Sequence, residues 1–100
     1  MNPYVIPGLM STEEIAAAIW GISDVQVLQM RIRNWNVVEC RDVLFHHLMK
    51  TTSLSPASIG RCYNMDRNTV KHAYTTVENL LENNLEFKRK HDLFMKRIRK

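Results

Sequence analysis

The clearest pattern in the chain is a run of apolar residues at Val70, Ala73, Tyr74, Val77, Leu80 and Leu81. Spacings of three and four residues predict one long helix with a single apolar stripe, and Asp66 stands where its N-cap belongs, so the helix is placed over 66–82. Its first two turns expose Arg67, Asn68, Lys71, His72, Thr75 and Thr76 on the other side. Before it, Ser55 and Pro56 suit the cap and first turn of a short helix ending near Tyr63, with Ile59 and Cys62 inward and Asn64-Met65 as the break. Further back, Val37, Cys40, Leu44, His47 and Leu48 share one face of a helix over about Val37 to Thr51. Ser23-Asp24 caps a short helix over Val25 to Met30, and a basic, polar connection runs from Arg31 to Asn36. The first helix opens on a capping box, Ser11 with Glu14, buries Ile15, Ala16, Ala18 and Ile19, and ends at Gly21. Residues 1–10, with two prolines and a glycine, read as an extended arm. After a break at Asn83-Asn84, a last basic helix occupies 85–100, with Leu85, Phe87 or Lys88, Phe94, Met95 and Ile98 as core candidates.

Nowhere do apolar and polar residues alternate between turn residues, as the strands of a sandwich or barrel would. The expected fold is all-α, a small bundle of about six helices in a single domain over 11–100, since a chain of 100 residues suits one core. Hydrophobic residues at 45% and charged residues at 24% are ordinary globular proportions. Cys40 and Cys62 have no C-x-x-C partner and no histidine at zinc-ligand spacing, so they read as reduced thiols packed in the core. The longest apolar run, Ile15 to Trp20, is far too short to span a membrane, and no export signal is visible. A soluble, cytoplasmic protein is expected.

Charge sharpens this picture. Residues 1–30 carry −3, 31–76 carry +4, 77–87 carry −3 and 88–100 carry +6, which sum to the net +4. Positive charge concentrated in the middle and at the end points to a face that binds a polyanion. No phosphate-binding glycine loop of either the mononucleotide or the dinucleotide kind is encoded, and no nucleophile stands beside a base in a local motif. The neighbours His46 and His47 lie about 100° apart on a helix and cannot both face one site. No catalysis, cofactor or metal is expected.

A short helix, a turn, and a longer helix opening on polar and basic side chains is the outline of a helix-turn-helix, here over 55–82. Asp66, Arg67, Asn68 and Thr69 fall in the first turn of the second helix, where side chains reach base edges. Arginine suits guanine and asparagine suits adenine, because each can form two parallel hydrogen bonds to its base. Asp66 also serves as a plain N-cap.

Ile59-Gly60, followed by Asp66, Thr69, Val70, His72 and Ala73, resembles the signature of the C-terminal DNA-binding domain of the bacterial replication initiator DnaA. The likeness covers roughly residues 12–98. It implies a Trp-repressor-like helical fold and sequence-specific binding of double-stranded DNA, in replication or transcription, in a bacterium or phage. By position it sends Asp66, Arg67, Asn68, Thr69 and His72 to the major groove and Arg33 to the minor groove, with Arg31, Arg41, Ser55 and Lys71 at phosphates. The family's ATPase module is absent. Arg67-Asn68 replaces the family's His-Thr, Lys71 replaces an apolar residue, the turn is shorter by about one residue, and Glu39-Cys40-Arg41 stands where the family has Arg-Pro-Arg. Two other readings compete: a protein-interaction module, with a partner or as a homodimer, and RNA binding through the basic tail.

Overall fold

A computed structural model describes residues 8–32 and 34–99. Residues 1–7, Arg33 and Lys100 lie outside these described residues, and with them most of the expected arm and the arginine assigned to the minor groove. In chain order the elements are α1 (Leu9–Trp20), a 3₁₀ helix (Val25–Gln29), α2 (Trp35–Thr51), α3 (Pro56–Cys62), α4 (Arg67–Asn83) and α5 (Leu85–Ile98). No strand occurs among the described residues, so the fold is all-helical. Among the described residues the α-helices number five rather than about six, because the second expected helix is a single 3₁₀ segment, a form chains adopt over short stretches.

Most boundaries follow from side-chain caps. Asn34 accepts hydrogen bonds from the N–H groups of Asn36 and Val37 and starts α2 two residues earlier than the apolar pattern suggests. Ser55 caps α3 with Pro56 in its first turn, Asp66 caps α4, and Asn84 caps α5. At α1 the capping box is not used. Gly8, at φ 77°, begins the helix, the Thr12 hydroxyl and N–H both donate to the Gly8 carbonyl, and Ser11 sits inside the helix. Residues 9 and 10, expected in the arm, are therefore helical. Gly21, at φ 73°, ends α1 in the left-handed conformation that glycine adopts without a Cβ penalty.

Helix α2 is the centre of the molecule, in contact with α1, the 3₁₀ helix, α3 and α4. That position explains why its burial exceeds one stripe: Val43, Phe45 and His46 are buried along with Val37, Cys40, Leu44 and Leu48. His47, expected in the core, is only half-buried. Around α2 pack Trp20, Leu28, Ile59, Tyr63, Val70, Val77, Phe87 and Phe94. Two other expectations change for the same reason of direction: Ala17 rather than Ala18 faces inward on α1, and Leu85, at 66% exposed, projects from the first turn of α5.

Hydrogen bonds between side chains tie distant segments together. Trp20 Nε1 donates to Glu39 Oε1 at 3.0 Å, the Tyr63 hydroxyl donates to Glu13 Oε2 at 2.7 Å, and His46 Nε2 pairs with Glu78 Oε2 at 2.6 Å. Both cysteines are buried thiols outside any disulfide, and burial pushes the Cys40 thiol up to about 12. Among the described residues no helix is long and apolar enough to cross a membrane.

Candidate nucleic-acid interface

The turn between α3 and α4 is built on backbone contacts. The Gly60 carbonyl accepts the N–H groups of Tyr63 and Met65 at 3.0 and 2.8 Å, and Asn64 takes the left-handed conformation at φ 55°. A side chain at residue 60 would collide with the Met65 carbonyl oxygen, so glycine is what lets the chain fold back tightly enough to start α4 there. Ile59, Cys62, Tyr63, Val70 and Ala73 lock the pair into the core.

Asp66 Oδ1 accepts the Thr69 N–H at 2.8 Å, and that bond holds its carboxyl below the usual carboxylate range, with the charge of Arg31 adding to the effect. The aspartate is thus the cap of α4. Arg67, Asn68, Lys71 and His72 are exposed and Thr69 is half-buried. The side chains of Arg67, Asn68 and Lys71 make no hydrogen bond or ion pair with any described residue. Arg31 is exposed and lies within electrostatic reach of Asp66, so the connection before α2 runs past the start of α4. His72 in turn faces the Asp42 carboxyl of α2 across the helix contact.

Arg41 departs from its expected role. It is only 7% exposed, and its Nη1 donates to the carbonyl oxygens of Met30 at 3.0 Å and Leu28 at 3.5 Å. Its guanidinium closes the end of the 3₁₀ helix from inside the protein, where the orphan carbonyls of a helix terminus need donors. It is therefore not an outward phosphate contact. Ser55 is exposed but already employed, accepting the Ser58 N–H at 3.2 Å and donating to the Ser58 hydroxyl at 3.2 Å. On α5, Lys88, Arg89, Lys96, Arg97 and Arg99 are exposed, while the Lys90 ammonium sits 5.9 Å from the centre of the Trp20 ring.

Two features were not visible in the pattern. Trp35, read as part of a polar connection, is the first residue of α2 and is 64% exposed. His46, His47 and His91 gather where α2, α4 and α5 meet, and no local motif relates His91 to a pair on a helix far earlier in the chain. Among the described residues no group of three or more histidine, cysteine or acidic side chains is arranged to hold a metal ion. No protein-family model matches this chain, and no curated protein matches it either.

Proposed function

We propose that this chain binds double-stranded DNA in a sequence-specific manner, with α3 and α4 acting as a helix-turn-helix of the DnaA C-terminal, Trp-repressor-like kind. The observation that carries the reading is the start of α4. There Arg67, Asn68 and Lys71 stand exposed with no side-chain hydrogen bond or ion pair among the described residues, on a helix that is capped by Asp66 and anchored in the core by Val70 and Ala73. Long polar side chains held on a rigid element and left unpaired suit contacts with another molecule, and their types suit base edges and phosphates. In this reading Arg67 and Asn68 read bases, Thr69 and His72 flank them, Lys71 and Arg31 bind phosphates, and Arg33 enters the minor groove. Asp66 caps and positions the helix, exposed beside the base-reading side chains. Exposed Trp35 favours a second reading, docking of a protein partner. The two separate by salt: DNA affinity falls steeply as salt rises, whereas a packed protein interface is far less sensitive.

The test is selection of bound sequences from a random duplex pool, followed by single substitutions measured on the best site. Arg67→Ala and Asn68→Ala should each cost about 1 to 3 kcal/mol and relax preference at one base position. Lys71→Ala should weaken all sequences alike. A folded double variant, Arg67→Ala with Asn68→Ala, that keeps full affinity and preference refutes the assignment.

A further inference from the structure

A cavity of about 120 Å³ lies where α2, α4 and α5 meet, apart from the start of α4. Leu81 and Met95 supply apolar wall, and His46, His47, His91 and Lys50 supply the polar groups. The volume is somewhat below the roughly 150 Å³ of an enclosed apolar cavity that takes up benzene, but this one is partly open, so one aromatic ring or a short acyl chain can enter with its polar end toward solvent. Among the described residues, each titratable group lining it is an imidazole or an ammonium, and no carboxylate lines it. The nearest acid on α4, Glu78, is turned to other work: its Oε2 pairs with His46 Nε2 at 2.6 Å and lies 3.8 Å from Lys50 Nζ.

The rings are held in place rather than free to turn away. His46 stacks on Tyr74 of α4 with centroids 4.7 Å apart and meets His91 edge-on at 5.9 Å. His47 meets Phe94 edge-on at 5.5 Å, and His91 stacks against Phe87 at 6.3 Å. Apolar wall, a few polar groups in the lining and rings held by stacking are the attributes of a small-molecule site. We propose that this cavity binds a small organic carboxylate, its hydrocarbon body against Leu81 and Met95 and its carboxylate against His47, His91 and Lys50. The proposal does not rest on DNA binding.

Acid strengthens this binding. Burial holds His47 and His91 below the usual imidazole range, reinforced by the imidazole of His46, while Asp92 opposes the shift at His91 and Lys50 adds to it. A bound carboxylate reverses the balance and draws a proton onto one ring, so affinity climbs as pH falls, by up to about tenfold per unit for one proton taken up.

The probe is benzoate, with neutral benzamide and cationic benzamidine as controls of the same shape, read by NMR at the Met95 and Leu81 methyl groups and the histidine rings at pH 7.5 and 6.0. Saturable shifts at these groups with benzoate alone, tighter at pH 6.0, are expected. Lys50 is half exposed, so Lys50→Gln keeps the fold and should weaken benzoate about tenfold, the loss of one charge-assisted contact. His91→Gln should flatten the pH dependence. No saturable shift in the millimolar range, equal binding of benzamide, or a Lys50→Gln variant with parental affinity overturns the proposal.

Discussion

Gly60 has no room for a methyl group, because a Cβ there would run into the carbonyl oxygens of Met65 and Asp66. Both are backbone atoms in the turn that sets the start of α4, so they cannot swing aside as a side chain could. Gly60→Ala should lower stability by roughly 1 to 3 kcal/mol in chemical denaturation, the cost of forcing atoms into filled space. On the proposed reading it should also weaken DNA binding, since the turn moves with it. A different kind of strain sits at Asp42, whose carboxyl is pushed up to about 6, first by burial, with Arg41 and His72 drawing it down and Glu39 raising it. Below about pH 4 the group is protonated in folded and unfolded chains alike and makes no difference. Between there and pH 6 the folded protein binds more protons than the unfolded one, so this residue's contribution falls as pH rises and is flat above 6. Asp42→Asn should therefore stabilise the protein at pH 7.5 by up to about 3 kcal/mol and have no effect at pH 3.5, as denaturation midpoints at the two pH values will show.

At the scale of the element, caps decide where helices begin and tertiary contact decides which face turns in. Asn34, Ser55, Asp66 and Asn84 each accept a backbone N–H; Ser55 and Asp66 stand where the sequence places caps, whereas Asn34 reads as part of a polar connection and Asn84 as a break. Helix α5 shows the other half. Phe87 and Phe94 are buried and Ile98 packs against the core, while Lys88, Arg89, Lys96, Arg97 and Arg99 remain in solvent. Exposed cations of this kind add affinity for any DNA sequence by releasing counterions from phosphates. Replacing Lys96, Arg97, Arg99 and Lys100 by glutamine keeps Ile98 in its packing and removes only charge. If these four residues touch phosphates, the slope of log affinity against log salt should shrink by up to about 4. An unchanged slope would turn this helix away from DNA.

Across the whole molecule, a few long-range bonds hold the helix pair to the rest. The Tyr63 hydroxyl, at the end of α3, donates to Glu13 of α1 at 2.7 Å in a half-buried setting, so it joins the first helix to the turn that positions α4. Tyr63→Phe removes that donor and leaves a carboxylate whose charge burial already disfavours. A loss of about 1.5 to 3 kcal/mol, the range for bonds to charged groups, is expected from thermal or chemical denaturation. The all-helical class, the long apolar stripe of α4, its cap at Asp66 and the turn at Asn64 were legible in the chain, because periodicity, capping and left-handed tolerance act over a few neighbouring residues. The same local rules placed Arg67, Asn68 and Lys71 outward. What they could not settle depended on partners far away in sequence. Arg41 is sent to a phosphate by the family resemblance, yet it meets the Leu28 and Met30 carbonyls and is buried. The adjacent His46 and His47 cannot face one way on an isolated helix, yet α4 and α5 close in from both sides and both rings border one cavity. Local sequence thus determined which segments are helical and which side of α4 is polar, since those follow from interactions within a turn or two. Tertiary structure alone decided which charges stay free, because burial and pairing are set by elements the chain brings together only when folded.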